Sequence, residues 1–348
     1  MPKQDAQMQR KVEHLFLAEK FFTDESFADF DSVRLLHDAL PELRMKDIDL
    51  STDFLGNKVA LPFYFNAITG GSKPSAKFNS ELAQLAHHLG IPVSSGSMGV
   101  YLRLPEETRE SFTTLRENNP GGFVIANVSA KANAKQAQVA IDLLKADALQ
   151  IHINALQELA MPEGDQEFFW LDNIKDIVTN VSVPVIVKEV GFGISQQNIA
   201  QLYRIGVRNI DISGFGGTDF AQIESARNHE LDLTYLDRFS LSTVESLLES
   251  APYQNKMTIL ASGGIRTPMD VIKAIRLGAS AVGMSGLVLH HLQKYSLSEA
   301  EIFFDEFVKQ LKLIMAAIGA RSIKDIKKAP IVFDERLINY MKQRNINF

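Results

Sequence analysis

The sequence predicts an α/β protein built around a (β/α)8 barrel, also known as a TIM barrel. From residue 61 onward, short apolar runs alternate with amphipathic stretches, and eight such pairs follow one another. The apolar runs end in small or polar residues, as expected where strands open onto the mouth of a barrel. A doubly wound sheet is the alternative fold, but the count of eight and the lack of a GxGxxG opening disfavour it.

Each strand is predicted from a short run rich in β-branched and other apolar residues, and each helix from apolar residues at helical spacing. The predicted strands are Leu61–Asn66, Ile91–Ser95, Phe123–Asn127, Ala148–Asn154, Pro184–Lys188, Asn209–Ser213, Thr258–Ser262 and Ala281–Ser285. The predicted helices are Ser75–His88, Glu106–Asn118, Ala134–Leu144, Leu171–Asn180, Ser195–Ile205, Ser240–Ser250, Pro268–Leu277 and Glu299–Ile318. A long insertion separates the sixth strand from its helix.

The chain is expected to form a single domain with an N-terminal arm over residues 1–60, a barrel over 61–318 and a C-terminal extension over 319–348. In the arm, Glu13–Phe22 has helical spacing, Thr23–Asp31 interrupts the helix, and Ser32–Leu36 is expected to resume it. The extension mixes basic, apolar and aromatic residues, so we expect it to pack on the outside of the barrel or at a subunit contact.

Composition narrows the classes of function. The net charge of −6 makes nucleic acid an unexpected partner, and the absence of cysteine excludes disulfides, thiolate metal sites and thiol nucleophiles. The N-terminus has no apolar run typical of a signal peptide, and no segment is long and apolar enough to span a bilayer. We therefore expect a cytoplasmic protein with no membrane partner.

The ends of the last two strands predict a phosphate site. Ser262-Gly263-Gly264-Ile265-Arg266 follows the seventh strand, and Met284-Ser285-Gly286 follows the eighth. Glycines allow the backbone to approach a ligand closely, and free N–H groups bind anions. Loops after strands seven and eight form the recurrent phosphate site of such barrels.

Lys188 stands at the end of the fifth strand, in the run Val185–Gly193. A buried lysine there needs an anion or a polar cofactor, although long cationic side chains also reach solvent from such positions. Asn127 and Ser97 offer hydrogen bonds to a flat polar ring, and Thr218 offers one to a phosphate tail. Lys188 would stabilise the anionic reduced form of a flavin. Because such binding residues come from nearly every strand, the pattern favours FMN over a bare sugar phosphate.

The fourth strand ends in a dense polar group that includes His152, Asn154, Gln157 and Glu158. Alternation predicts His152 and Asn154 on one face of the strand, although a single histidine is more often structural. Glu158 is either a solvated carboxylate or a ligand for Mg²⁺, which binds one or two carboxylates together with substrate phosphates. The pair Arg10-Lys11 is either a solvated helix end or part of an arm that closes over a ligand anion.

Taken in order, the motifs resemble those of type 2 isopentenyl diphosphate isomerases, the FMN-dependent family. They are Arg10-Lys11-x-x-His14, Ala67-x-Thr69-Gly70-Gly71, Ser95-Gly96-Ser97, His152-x-Asn154-x-x-Gln157-Glu158, Lys188-Glu189-Val190-Gly191-Phe192-Gly193, Asp211-x-Ser213-Gly214-x-Gly216-Gly217-Thr218 and Gly263-Gly264-Ile265-Arg266. The resemblance spans about residues 10 to 286. It implies interconversion of isopentenyl and dimethylallyl diphosphate by a 1,3-allylic proton shift in isoprenoid biosynthesis. It further implies reduced FMN, Mg²⁺, NADPH as the flavin reductant, and a homotetramer or homo-octamer.

The resemblance also assigns roles to matching residues. FMN would be held by Ala67, Ile68, Thr69, Ser97, Asn127, Lys188, Ser213, Thr218, Gly264, Ile265, Arg266, Ser285 and Gly286. Substrate would bind Arg10, Lys11, His152 and Gln157, and Mg²⁺ would bind Glu158. We hypothesise that flavin N5 protonates the alkene, while the catalytic group Gln157, His152 and Asn154 orients the substrate.

The chain departs from the family pattern in two places. Many members have Ser-Gln-Arg where this chain has Ser97-Met98-Gly99, and many have arginine where Phe215 stands. Three other functions remain open. An FMN-dependent 2-hydroxy acid oxidase shares the lysine and the glycine turn, but it needs a His-x-x-Arg pair that is missing here. A non-catalytic flavin- or phosphate-binding regulator would not need the polar group of strand four, and a purely structural barrel would not need polar strand ends.

Overall fold

A helix and three short strands precede the barrel. The computed structural model describes residues 3–228 and 232–348. The first elements are α1 (Lys3–Lys20), β1 (Val33–Leu35), β2 (Thr52–Phe54) and β3 (Asn57–Val59), with 3-10 turns at Phe30–Ser32 and Met45–Asp47. The helix expected at Ser32–Leu36 is wrong. Residues 33–35 form a strand instead, because Val33 to Leu35 pair with a strand of the C-terminal extension, which local spacing cannot predict.

Eight parallel strands then close into a barrel, which confirms the predicted fold. They are β4 (Phe63–Phe65), β5 (Val93–Ser94), β6 (Val124–Ser129), β7 (Ala148–His152), β8 (Val185–Lys188), β9 (Asn209–Asp211), β10 (Thr258–Ser262) and β11 (Ala281–Met284). The last strand pairs with the first, with Val282 opposite Phe63, so the sheet has no free edge. Several strands are shorter than predicted because their polar ends turn into the loops of the mouth.

The helices surround the barrel. They are α2 (Lys73–Leu89), α3 (Pro105–Thr108), α4 (Glu110–Glu117), α5 (Ala134–Leu144), α6 (Ala155–Ala160), α7 (Leu171–Asn180), α8 (Gln196–Arg204), α9 (Phe220–Arg227), α10 (Thr243–Glu249), α11 (Pro268–Arg276), α12 (Gly286–Lys294) and α13 (Leu297–Ala317). Side-chain caps start several of them: Thr267, for example, accepts from the backbone N–H of Asp270 and places Pro268 at the first helical turn. The sequence patterns do not predict α6, α9 and α12, which lie in the loops at the mouth.

Two apolar cores hold the barrel. The smaller one lies inside the barrel at the amino ends of the strands, where Phe54 from the β2–β3 hairpin packs with Tyr64, Ile125 and Ile186. Phe54 and Tyr64 have at most 1% of their surface exposed. The larger core lies between the strands and the helices. With one end filled by this hairpin, only the carboxyl end of the barrel is left for a ligand.

The C-terminal extension packs against the outside of the barrel, and its elements are α14 (Ile323–Ile326), β12 (Ile331–Phe333) and α15 (Glu335–Arg344). The carboxylate of Glu249 on α10 accepts hydrogen bonds from Tyr340 Oη at 2.9 Å and from Arg344 Nε at 2.7 Å. Among the described residues, no helix combines the length and apolarity that crossing a membrane would require.

Candidate active site

Two adjacent cavities open at the carboxyl ends of the strands. The larger has a volume of about 210 Å³ and the smaller about 170 Å³. Six residues line both cavities: His14, Leu15, Ile68, Ser97, His152 and Gln157. A molecule in one cavity would therefore lie against a molecule in the other.

The residues assigned to the cofactor and to the substrate separate between these cavities. Twelve of the thirteen residues assigned to FMN line the larger one: Ala67, Ile68, Ser97, Asn127, Lys188, Ser213, Thr218, Gly264, Ile265, Arg266, Ser285 and Gly286. Thr69 lines the smaller cavity instead, and its hydroxyl lies 3.0 Å from Ser75 Oγ. Arg10, Lys11, Asn154 and Glu158 line the smaller cavity as well.

One end of the larger cavity is a backbone cradle. Gly263 and Gly264 have φ angles of 101° and 69°, and a Cβ on Gly263 would lie 1.9 Å from the carbonyl oxygen of Gly214. Opposite them, α12 begins at Gly286, where an added Cβ would lie 3.4 Å from Thr218 Oγ1 and 3.5 Å from Arg266 Nη1. A helix N-terminus, a hydroxyl and a guanidinium around one point form an anion site, and a flavin phosphate fits it.

Replacing Gly263 with alanine is expected to destabilise the protein and weaken FMN binding together. The positive φ alone disfavours alanine by about 1 kcal/mol, and the overlap with Gly214 adds to that. Gly56→Ala is the matched control, because Gly56 has a φ of 85° and nothing within 4 Å of an added Cβ. Thermal unfolding and FMN titration of both variants measure the difference. Equal losses of stability and of FMN affinity in the two variants would contradict the close approach of Gly263 to Gly214.

Lys188 lies at the inner wall of the larger cavity with 6% of its surface exposed. Its Nζ donates to the carbonyl oxygen of Glu189 at 2.6 Å. Burial lowers the pKa of Lys188, while the negative charges of Asp211 and Glu189 oppose that effect. The amino group is thus held inside the site near two carboxylates, where it can act on a flavin ring.

Asp211 anchors a hydrogen-bond network beneath this cavity. Its fully buried carboxylate accepts from Tyr64 Oη at 2.7 Å, Asn66 Nδ2 at 2.7 Å and Ser262 Oγ at 2.8 Å. Asn66 in turn accepts from Gln150 Nε2 at 3.0 Å. In the sequence, Asp211 stands out only as part of a motif. An aspartate between two apolar residues at a strand end is the signal that could have singled it out.

His152 is held as a neutral imidazole. Its Nδ1 lies 2.9 Å from Asn127 Oδ1. Burial, followed by the positive charges of Lys188 and Lys11, lowers the pKa of His152 to about 3. At neutral pH this residue therefore offers hydrogen bonds rather than an ionisable proton.

The strand-four group is arranged differently from the prediction. β7 ends at His152, so Asn154 does not share a strand face with it and precedes helix α6 instead. The prediction fails because the residues after His152 form the short helix α6 instead of continuing the strand. Asn154 Nδ2 donates to Gln157 Oε1 at 3.2 Å and to Glu158 Oε1 at 3.0 Å. Asn154 thus orients both of the candidate side chains that follow it.

Within the described part of the chain, one carboxylate suited to Mg²⁺ lines the smaller cavity, that of Glu158. No group of three histidine, aspartate or glutamate side chains that could hold a metal occurs within residues 3–228 and 232–348. Glu158 Oε2 accepts from the backbone N–H of Asp165 at 2.9 Å. Such a sparse site fits Mg²⁺ only if substrate phosphates and waters complete the coordination.

Helix α1 covers the mouth and contributes to both cavities. Lys11 Nζ donates to the carbonyl oxygens of Gly70 and Ser97 at 2.5 and 2.9 Å. Beyond the far end of the helix, the carbonyl oxygen of Thr23 accepts from Arg266 Nε at 3.0 Å, and the Arg266 guanidinium lies 4.6 Å from the centre of the Phe22 ring. The arm therefore reaches from the smaller cavity to the phosphate cradle.

Two residues of the insertion join α1 to the site, and no sequence pattern indicates either of them. The fully buried Glu224 lies 2.8 Å from His14 Nε2 and accepts from Gln157 Nε2 at 3.3 Å. Arg227 Nε pairs with Glu13 at 3.0 Å. These partners are far apart in the chain, and charge on a short helix within an insertion usually indicates only a solvated face.

Comparison with known proteins places the chain in a family. Residues 105–332, more than half of the chain, match the model of the FMN-dependent dehydrogenase family. A lactate oxidase from Pediococcus acidilactici superposes with a TM-score of 0.69 at 14% identity, over 93% of this chain and 94% of that one. A mutant of flavocytochrome b2 with benzoylformate superposes with a TM-score of 0.64 at 20% identity, over 95% and 90% of the two chains. At these identities the structural likeness shows the fold.

Relatives found by sequence have a much higher identity to this chain than these structures do. The isopentenyl-diphosphate delta-isomerase of Latilactobacillus sakei is 48% identical over 99% of both chains. The proteins of the same name from Lacticaseibacillus paracasei and Staphylococcus aureus are 46% and 43% identical, over 99% and 97% of this chain and 98% and 97% of theirs. With an FMN-family barrel and full-length likeness of this order, the chain belongs to the type 2, FMN-dependent isopentenyl-diphosphate delta-isomerases.

Proposed function

We propose that this enzyme interconverts isopentenyl and dimethylallyl diphosphate by a 1,3-allylic proton shift, with reduced FMN and Mg²⁺, in isoprenoid biosynthesis. One observation carries the proposal: a cation-lined cavity adjoins a cavity with a phosphate cradle, and Gln157 and His152 line both. The alkene of a substrate whose diphosphate lies among the cations would then face the flavin ring. The sequence relatives named above support the identity of the substrate.

Reduced FMN bound in the larger cavity would supply an electron-rich ring and a transferable proton at N5. The protein's own residues would orient the substrate and exclude water. Gln157 is suited to orienting the substrate, because Asn154 and Glu224 hold both ends of its amide. His152 is neutral and would contribute a hydrogen bond. Leu15 of α1 lines both cavities and would shield a carbocation-like state from water.

The diphosphate would bind in the smaller cavity. Arg10 and Lys11 line that cavity and would neutralise its charge, while Glu158 would hold Mg²⁺ jointly with the phosphates. Arg10 Nη1 also lies 3.5 Å from Glu163 Oε1, and this ion pair restrains the side chain of Arg10. The roles of Arg10 and Lys11 depend on α1 lying over the mouth.

The protonation of Lys11 is expected to control substrate capture. Burial, followed by the positive charges of Arg10 and Arg103, lowers the pKa of Lys11 to about 7. The ammonium form predominates below this pKa, so kcat/KM for isopentenyl diphosphate should fall by up to about tenfold per pH unit above pH 7. Saturating substrate favours the charged form, so kcat should change less. In Lys11→Arg the guanidinium stays charged and the fall should disappear. A wild-type kcat/KM that is constant from pH 7 to 9 would contradict this expectation.

Further parts of the proposal are supported by the family resemblance. NADPH would reduce the flavin, since the isomerisation itself consumes no electrons. The chain would work in the cytoplasm as a homotetramer or homo-octamer, with small-molecule substrates and neither nucleic acid nor membrane as a partner.

Oxidation of 2-hydroxy acids is the same-fold rival. That chemistry needs a histidine base and an arginine for the substrate carboxylate near the ends of strands six and seven. Here the β9 end continues as Ser213-Gly214-Phe215-Gly216-Gly217-Thr218, without such a pair. The polar group on and after β7 also has no evident role in that reaction.

Parallel assays of the holoenzyme distinguish the two functions. Anaerobic NMR with isopentenyl diphosphate, Mg²⁺ and NADPH should show dimethylallyl diphosphate. Lactate and mandelate should leave the oxidised flavin spectrum unchanged. Bleaching of the flavin by a 2-hydroxy acid without isomerisation would overturn the proposal.

A further inference from the structure

A third basic residue, Arg103, lines the smaller cavity beside Arg10 and Lys11. It lies in the loop that follows β5, far from α1 along the chain. That loop contains a helical turn, in which the N–H of Leu102 donates to Met98 O at 3.1 Å and the N–H of Leu104 to Val100 O at 2.9 Å. Neither composition nor the motifs single out Arg103, because it is one charge in a loop.

The same turn brings residue 99 next to residue 103. Side chains four residues apart lie on one face of a helical turn. Gly99 also lines the smaller cavity, and a Cβ added there would meet nothing nearer than Ser97 Oγ at 3.7 Å. The space in front of Gly99 is therefore open to the side chain of Arg103. This glycine is one of the two departures from the family pattern noted above.

The three cations repel one another in this cavity. Burial and then the positive charge of Arg10 lower the pKa of Arg103, while burial and then both arginines lower the pKa of Lys11. A cavity lined by several cations attracts an anion. A diphosphate is such an anion, and arginine matches phosphate oxygens with paired donors.

From this convergence we infer that Arg103 is a substrate-binding residue that contacts the diphosphate from the β5 loop while Arg10 and Lys11 contact it from α1. The inference rests on the proposed function for the identity of the substrate. The diphosphate is then held between two segments that are distant in the chain. Substrate binding and the closed position of α1 become coupled, because the anion bridges them.

The test is Arg103→Ala in the FMN-loaded enzyme. Losing one charge-assisted contact to phosphate should raise KM for isopentenyl diphosphate by about 10- to 100-fold and leave kcat within about threefold. The dissociation constant of inorganic pyrophosphate, measured by calorimetry, should rise similarly, since pyrophosphate has the phosphates without the alkene. FMN affinity should stay the same, because Arg103 does not line the larger cavity. Arg109→Ala, at a position in the same region that lines neither cavity, is the matched control and should behave as wild type.

A relocated charge tests the geometry. Gly99→Arg introduced into Arg103→Ala should recover most of the lost pyrophosphate affinity, because both positions open into the same space. A double variant no better than Arg103→Ala would contradict the placement of these residues over one anion. If wild type isomerises its substrate and Arg103→Ala keeps its KM and pyrophosphate affinity, the inference is wrong. If wild type does not isomerise, the proposed function fails, and pyrophosphate binding alone still decides the role of Arg103.

Discussion

Replacing Lys188 with methionine is expected to lower kcat/KM for isopentenyl diphosphate by about 10²- to 10³-fold, the usual effect of removing a preorganised charge from an active site. Lys188 is buried at the end of β8, and in its protonated form it would stabilise the anionic reduced flavin. Methionine has a similar length, so packing is largely kept. The reduction potential of bound FMN should become more negative by about 30 mV or more, which corresponds to about 1.4 kcal/mol for two electrons.

Anaerobic NMR turnover and redox titration of the bound flavin measure the two effects separately. Lys175→Met on the exposed face of α7 is the control and should change neither quantity. A Lys188→Met enzyme with wild-type activity and an unchanged flavin potential would show that the lysine does not act on the cofactor. Lys188→Arg, which keeps the charge, should retain more activity than the methionine variant.

Replacing Gln157 with methionine is expected to lower kcat by about 10²-fold, because loss of a positioning contact misaligns the reacting groups. Gln157 is buried where the two cavities meet, with its amide fixed by Asn154 and Glu224. Glu224 keeps His14 and Arg227 as partners in this variant, so no carboxylate is left unpaired. KM should change only a few-fold, since the cations of the smaller cavity remain.

Steady-state kinetics with FMN-saturated enzyme give kcat and KM for this variant. Gln222→Met on the exposed side of α9 is the matched control. If kcat of Gln157→Met stays within threefold of wild type, the orienting role assigned to Gln157 is wrong. A large rise in KM with an unchanged kcat would instead place Gln157 in ground-state binding.

The barrel could be predicted because its signals are local. β10 matches the predicted strand Thr258–Ser262, and α7 matches the predicted helix Leu171–Asn180, since each is set by a short apolar pattern with clear boundaries. The strand ends also indicated where a ligand would bind, and the family resemblance assigned thirteen residues to FMN. Twelve of these thirteen line one cavity.

What could not be predicted depends on contacts between distant segments. Residues 33–35 became a strand because β12 lies beside them. Thr69 lines the smaller cavity and Asn154 precedes a helix, although both were expected elsewhere, because the turns after β4 and β7 decide where the side chains point. Glu224 and Arg103 lie on short segments whose sequence resembles an ordinary solvated surface. Only the fold brings them to α1 and to the smaller cavity.

The ratio of dimethylallyl diphosphate formed to NADPH consumed, under strict anaerobiosis, tests the central claim most directly. The account predicts many product molecules for each NADPH, because the flavin needs to be reduced once and the proton shift is redox-neutral. Chemically reduced enzyme without NADPH should then be equally active. One NADPH consumed for each product, or equal turnover with the flavin kept oxidised, would contradict an isomerase that depends on reduced FMN.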